Sequence, residues 1–78
     1  MNTIAERCMK VISKSLGVSL DKVTPEKNFI EDLGADSLDV VEIVICIEEE
    51  FKILVDEEDA ELISTVQSAI DYLEKKLK

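Results

Sequence analysis

Apolar side chains recur at helical spacing close to the N-terminus of the chain. The positions that share one helical face are Ile4, Cys8, Val11 and Ile12. Thr3 and Glu6 stand before them at the spacing of a capping box, in which each residue satisfies a backbone N–H at the start of a helix. Gly17 is a natural helix stop because glycine adopts left-handed backbone angles without strain. This pattern predicts a first helix between Thr3 and Gly17.

The segment from about Ser37 to Phe51 predicts a second helix, with Asp36 or Ser37 as its N-cap. Its apolar residues fall on two faces. The broader face, which we expect on the core side, consists of Val40, Ile43, Val44, Ile47 and Phe51. The opposite face consists of Leu38, Val41 and Ile45, with Glu48 along one edge and Glu42 and Glu49 along the other. Burying unpaired carboxylates is prohibitive, so the second face is predicted to be an exposed apolar strip rimmed by acids.

Such a strip is typical of a docking surface for a partner that offers a hydrophobic slot within a basic patch. The triplet Glu48, Glu49 and Glu50 favours this interpretation, because negative charge is unfavourable near the C-terminus of a helix. The alternative is a solvated acidic face that serves solubility alone.

A last helix is predicted by an apolar stripe near the C-terminus. The stripe consists of Val66, Ala69, Ile70, Leu73 and Leu77. Ser64 and Gln67 have capping-box spacing before it. Residues 56–61 are too few and too acidic for more than a helical turn or two.

No regular period holds between the first two helices, where Pro25 and Gly34 interrupt the chain. So long a loop needs anchors in a compact domain. The apolar residues expected to fold it back onto the core are Leu20, Val23, Phe29, Ile30 and Leu33. Without strand alternation or repeats, residues 1–78 are predicted to form one all-α domain, a small four-helix bundle with three main helices and one short helix.

Charge and composition narrow the function classes. The 78 residues carry a net charge of −9, and most of the acidic side chains lie between residues 26 and 61. Such a chain repels nucleic acid and anionic membrane surfaces and favours basic partners. Histidine is absent, which removes mechanisms that need a near-neutral imidazole, so we do not expect an enzyme. We also expect a monomer with no metal site. No membrane span is expected, since the longest apolar run covers only Ile43 to Ile47.

The two cysteines, Cys8 and Cys46, are expected to be reduced, small apolar residues rather than parts of a disulfide framework. The N-terminus lacks the apolar run of a secretory signal. A cytoplasmic location is therefore expected, or an organelle matrix if a leader was removed.

Ser37 is the candidate for chemistry. A serine at a helix start is most often only an N-cap. Here Gly34 permits a tight turn just before it, and the N–H groups of the opening helix could receive a phosphate carried on the serine oxygen.

The segment that surrounds this serine resembles a known signature. Residues 31–39, Glu-Asp-Leu-Gly-Ala-Asp-Ser-Leu-Asp, are similar to the signature of the acyl carrier proteins of type II fatty acid synthesis, as are Val41-Glu42, residues 48–51 and residues 65–72. The resemblance spans nearly the whole chain. It implies that a phosphopantetheinyl transferase moves 4′-phosphopantetheine from coenzyme A to Ser37. The arm's thiol would then carry growing fatty acyl chains as thioesters between separate, basic-surfaced enzymes.

The resemblance also implies two sets of site residues. Those that would meet partner enzymes are Asp36, Leu38, Asp39, Val41, Glu42, Ile45, Glu48, Glu49, Glu57 and Glu61. Those that would line an acyl cavity are Phe29, Ile30, Ile47, Val55, Ile63 and Ile70. All six of the second set are equally consistent with plain core packing.

Three other functions remain open at this point. A calcium-binding protein fits the acidity, but residues 32–36 break the ligand spacing of a calcium loop. An unmodified helical adaptor would use the strip on the second helix alone. Carriers of aminoacyl, D-alanyl or polyketide groups share the modified serine.

Overall fold

Helices are the only extended regular elements in residues 3–77, the part of the chain that the computed structural model describes. They are α1 (Ile4–Leu16), a 3-10 turn (Leu20–Lys22), α2 (Ser37–Phe51), α3 (Glu57–Ala60) and α4 (Val66–Leu77). Three main helices and one short helix were expected, and this small helical bundle is confirmed. None of the helices in residues 3–77 is long and apolar enough to cross a membrane.

The ends of α1 lie where its local sequence signals predict them. The Glu6 N–H donates to Thr3 Oγ1 at 3.1 Å, and the Thr3 N–H donates to Glu6 Oε1 at 3.3 Å. Gly17 ends the helix with a φ of 68°, and its N–H donates to the Ser13 carbonyl. Both signals act within a few residues of the helix end, which is why the sequence alone predicts these bounds.

The capping box expected for α4 at Ser64 and Gln67 is wrong by one residue. The Ser68 N–H donates to Thr65 Oγ1 at 3.0 Å, and the Thr65 N–H donates to Ser68 Oγ at 2.9 Å. An isolated bridge between Asn28 and Thr65 holds the chain extended up to this point, so the helix begins at Val66. Gln67 instead donates from its side chain to Asp71 at 2.8 Å.

The core lies where α1 packs against both α2 and α4. Its buried apolar residues are Cys8, Ile12, Val23, Phe29, Ala35, Ile43, Val44, Ile47, Phe51, Ile63, Val66, Ala69, Ile70 and Leu73. Val40 is partly buried against this cluster, so the broad face of α2 is on the core side as expected. Both thiols are free, with Cys8 buried and Cys46 half-buried.

The loop between α1 and α2 wraps onto the core through fewer side chains than expected. Val23 and Phe29 are buried, and Leu33 packs partly against the core. Leu20 and Ile30, in contrast, stay 46% and 54% exposed, so their expected burial is wrong. Ile30 follows the buried Phe29 in a turn that is closed by Asn28, and neighbouring side chains in such a turn cannot both face the core.

Candidate functional site

Ser37 is the first residue of α2, and its side chain is exposed. The N-cap of this helix is Asp36, whose carboxylate accepts the Asp39 N–H at 2.9 Å. The Asp39 carboxylate accepts the Asp36 N–H in return at 3.2 Å. Within residues 3–77 the Ser37 hydroxyl therefore has no capping role and no hydrogen-bond partner. The fold leaves this oxygen available for chemistry.

Backbone hydrogen bonds fix the turn that leads into Ser37. Gly34 has a φ of 73°, in the left-handed region that glycine adopts without strain. The Ala35 N–H donates to the Phe29 carbonyl at 2.9 Å, and the buried Ala35 side chain anchors the turn on the core. On the other side, Asp32 accepts the Asn28 N–H at 2.7 Å. These contacts hold the start of α2 in one position relative to the bundle.

The second apolar face of α2 is exposed, as its pattern predicts. Leu38, Val41 and Ile45 are 74%, 53% and 46% exposed. Glu42 and Glu49 are exposed beside them, whereas Glu48 is half-buried. The strip that these three apolar residues form starts one residue after Ser37 and follows the same helix.

Two of the three acids at the end of α2 have structural partners that compensate for their unfavourable place near the C-terminus of the helix. Glu50 pairs with Arg7 at 3.1 Å, and the Arg7 guanidinium lies 4.5 Å from the centre of the Phe51 ring. Glu48 accepts the Val55 N–H at 2.8 Å. Of the triplet, only Glu49 projects from the surface without a hydrogen bond or ion pair to any residue in the range 3–77. Structural contacts thus account for Glu48 and Glu50, and Glu49 alone still favours a docking surface.

A groove of about 730 Å³ runs beside α2 and includes Ser37 in its lining. One wall comes from α2 and consists of Val40, Val41, Val44, Ile45 and Glu48. The opposite wall, which we call the α3 wall, comes from residues 55–64 and consists of Val55, Glu57, Ala60, Glu61, Ile63 and Ser64. Residues 28–31 complete the lining. The groove is mostly apolar, with carboxylates from both walls.

The groove contains four of the six residues expected in an acyl cavity. Phe29, Ile30, Val55 and Ile63 line it. Ile47 and Ile70 lie outside the lining and are buried in the core, at 1% and 4% exposure. Val40, Val44 and Ala60 line the groove instead, whereas the helical pattern predicts only a core position for the two valines.

The partner residues expected from the resemblance overlap with this lining. Val41, Ile45, Glu48, Glu57 and Glu61 all belong to the groove as well as to the expected docking set. The exposed Leu38, Glu42 and Glu49 do not line it. The geometry therefore places one end of the helix, a surface strip and an apolar groove side by side.

Within residues 3–77 no group of three or more acidic or cysteine side chains is placed to hold a metal ion. A protein-family model described as the phosphopantetheine attachment site matches residues 7–73. The match includes Ser37, both walls of the groove and most of α1. The local geometry fits a covalent group of this kind, because an exposed hydroxyl without a partner stands at the groove.

Proposed function

Because this chain belongs to the phosphopantetheine attachment family, we propose that Ser37 bears the group and that the loaded protein carries fatty acyl chains. Its cofactor is covalent 4′-phosphopantetheine, and the chain is a carrier protein. The observation that carries the assignment to Ser37 is its hydroxyl, which is exposed while Asp36 makes the cap. A serine needed as the cap would be engaged with the backbone.

The residues around Ser37 present its oxygen to a transferase. The reciprocal cap of Asp36 and Asp39 fixes the first turn of α2, so the hydroxyl projects from a rigid element. In the transfer, the Ser37 oxygen forms a bond to the pantetheine-bearing phosphorus of coenzyme A. The bond to the 3′,5′-ADP leaving group breaks, and the hydroxyl proton passes to a base of the transferase. The attached arm supplies a thiol on which an acyl group is held as a thioester.

The groove supports fatty acyl chains over aminoacyl or D-alanyl groups. Its lining side chains Ile30, Val41 and Ile45 are exposed and Val40 is half-buried, so they offer an apolar surface next to the attachment point. Each methylene that leaves water for such a surface gains about 0.8 kcal/mol. A short polar acyl group gains almost nothing there, so a groove of this composition has a use mainly for alkyl chains.

The strip of Leu38, Val41 and Ile45 supports brief docking to basic-surfaced enzymes. Three exposed apolar residues form a small contact, and the surrounding acids speed encounter by long-range attraction. Weak, fast binding suits a carrier that visits several enzymes in turn. Fatty acid synthesis by separate enzymes is the pathway that we propose, with the carrier acting as a monomer.

The direct test is intact mass after incubation with coenzyme A and a phosphopantetheinyl transferase. We expect wild type to gain one phosphopantetheine and Ser37→Ala to gain none while keeping its helical circular dichroism. Ser19→Ala removes another exposed serine hydroxyl and serves as the matched control, which should load like wild type. Folded wild type that stays at polypeptide mass would refute the assignment and leave an adaptor that uses the strip alone.

The acyl assignment has a separate test in the loaded protein. Thioesters of octanoate and of alanine on the same arm are exposed to hydroxylamine, and their cleavage rates are compared with those of the free pantetheine thioesters. We expect the carrier to slow cleavage of the octanoyl thioester several-fold and to leave the alanyl thioester unprotected. Equal protection of both would argue against a fatty acyl cargo.

A further inference from the structure

The two walls of the groove are held to the bundle unequally. The α2 wall belongs to a helix of 15 residues that packs broadly against α1. The α3 wall contains a helix of only four residues, which packs broadly against no other helix in residues 3–77 and whose N-cap, Asp56, makes no side-chain cap. Since a short uncapped helix has little stability of its own, the α3 wall is the side that can yield.

Hydrogen bonds hold both ends of the α3 wall, and at the far end the bond joins two backbone groups. There the Phe29 N–H donates to the Ser64 carbonyl at 3.1 Å. At the near end, the Val55 N–H donates to the Glu48 carboxylate of the opposite wall at 2.8 Å. Between these points, α3 itself has one side-chain hydrogen bond to another helix within residues 3–77. In it, the Tyr72 hydroxyl of α4 donates to Asp59 Oδ2 at 3.0 Å.

The surroundings of Tyr72 hold it as a donor. Its ring packs partly against the core, and the Lys76 ammonium lies 5.9 Å from the ring centre. Burial, followed by the hydrogen bond and charge of Asp59, raises the pKa of Tyr72 to about 12. The hydroxyl therefore keeps its proton, and its bond to Asp59, throughout the neutral range. The ring is held on α4, and its hydroxyl restrains α3 through the hydrogen bond to Asp59.

We propose that Tyr72 is a positioning residue that limits how far the α3 wall can move from α2 and so limits the length of acyl chain that the groove holds. The part about acyl chains rests on the proposed function, whereas the restraint on α3 does not. Tyr72 makes no contact with the groove, because it is absent from the lining and acts through Asp59. Its effect is on the position of a wall and not on the surface that a ligand would touch.

The first test is amide hydrogen exchange in the unmodified protein. We expect Tyr72→Phe to speed exchange about fivefold at Ala60 and Glu61, as for the loss of one hydrogen bond, with α1 and α2 unchanged. These two N–H groups close α3 on the carbonyls of Asp56 and Glu57. Asp59→Asn keeps an oxygen acceptor and should exchange like wild type, whereas Asp59→Ala should match Tyr72→Phe.

Gln67→Ala is the control for loss of a polar side-chain bond from α4, since Gln67 donates to Asp71 at 2.8 Å. It should leave α3 exchange unchanged. The proposal is overturned if Tyr72→Phe leaves Ala60 and Glu61 at the wild-type rate. An equal rise in all helices would also overturn it, because the hydroxyl would then support the whole fold and not α3.

The second test uses carriers loaded with hexanoyl, octanoyl, decanoyl and dodecanoyl thioesters. We expect the chain length that is best protected from hydroxylamine to move to a longer acyl group in Tyr72→Phe and to stay in place in Asp59→Asn and Gln67→Ala. An unchanged optimum alongside faster α3 exchange would disprove the link to chain length. If the protein cannot be loaded at all, the proposed function fails, while the exchange experiment still decides whether Tyr72 restrains α3.

Discussion

Asp36 and Asp39 each accept the backbone N–H of the other, at 2.9 and 3.2 Å, across the first turn of α2. Ser37, the residue proposed for modification, lies between Asp36 and Asp39, and its side chain takes no part in their capping bonds. Two carboxylates thus do the structural work that a serine usually does at a helix start. This division separates the stability of α2 from the chemistry proposed for Ser37.

Replacing the cap should therefore affect stability without the serine being touched. We expect Asp36→Ala to lower the free energy of unfolding by about 1 kcal/mol, the usual cost of losing an N-cap. Asp36→Asn keeps a capping oxygen and should stay within a few tenths of a kcal/mol of wild type. Urea unfolding followed by circular dichroism measures both. Equal stability of all three proteins would show that the cap contributes nothing.

Comparing Asp36→Asn with wild type separates the structural role of Asp36 from a role in recognition by the transferase. Asp36→Asn removes a charge and retains the cap, so a slower rate of loading by the transferase in this variant would assign the charge of Asp36 to partner contact. Unchanged loading would leave Asp36 a purely structural residue.

The helix bounds could be predicted from sequence because caps and helical periodicity act over three or four residues. Thr3 and Gly17 fulfil the roles that their neighbours indicate, and Asp36 is one of the two N-caps that the sequence allows for α2. The start of α4 could not be predicted from the sequence, because Ser64 and Thr65 are both able to cap a helix. The choice between them depends on a bridge from Thr65 to Asn28, which is distant in the sequence.

Part of the candidate site could likewise be predicted from the local sequence, and part could not. The exposed strip on α2 follows from the helical pattern alone, since Leu38 and Val41 share a face with acids. The partners of Glu48 and Glu50, which are Val55 and Arg7, come from other parts of the chain. No local pattern reveals them, and none reveals that Val44 faces a groove.

Lys52 offers a direct way to stabilise the protein. It ends α2 with a φ of 55°, the only non-glycine residue in the range 3–77 with a positive φ. Left-handed backbone costs an ordinary residue roughly 1 kcal/mol, and glycine avoids this cost. We expect Lys52→Gly to raise the free energy of unfolding by about 0.5–1 kcal/mol. Lys52→Ala also removes the charge but keeps the Cβ, so a similar gain in that variant would attribute the effect to charge.

The two thiols should differ sharply in reactivity. Cys8 is fully buried, and burial raises the pKa of its thiol to about 12, so almost no reactive thiolate exists at neutral pH. Cys46 is half-buried on α2. We expect one thiol of the unmodified native protein to react with a maleimide and the second to react only after unfolding. Cys46→Ser should abolish the native reaction, and a fast reaction that persists in that variant would contradict the burial of Cys8.

The acids beside the strip should govern docking. Glu42→Lys combined with Glu49→Lys reverses two exposed charges next to Val41 and Ile45. We expect affinity for a basic-surfaced fatty acid synthesis enzyme to fall about tenfold at low salt, or about 1.4 kcal/mol, with a shallower dependence on salt.

A matched control separates local contact from net charge. Asp21→Lys combined with Glu74→Lys changes the net charge equally at exposed positions outside α2. We expect that variant to lose much less affinity. Equal losses in the two double variants would show that the overall charge acts at long range and that the strip does not define the contact.

The bond between Tyr72 and Asp59 should leave a signature in the dependence of stability on pH. The pKa of Tyr72 is raised from 10.0 to about 12 in the folded protein, first by burial and then by Asp59. The folded state thus holds this proton more tightly than the unfolded state does. The contribution of this tighter proton binding to the free energy of unfolding is complete below pH 10 and is lost as the pH rises from 10 to 12.

Tyr72→Phe has no proton to lose, so it isolates this effect from the titration of the lysines. We expect the stability difference between wild type and Tyr72→Phe to be constant from pH 7 to 9, as measured by urea unfolding, and to shrink above about pH 10. Asp59→Asn removes the charge that opposes ionisation, so its stability should decline less steeply over the same interval. A difference between wild type and Tyr72→Phe that stays constant up to pH 12 would mean that folding does not change how tightly Tyr72 holds its proton.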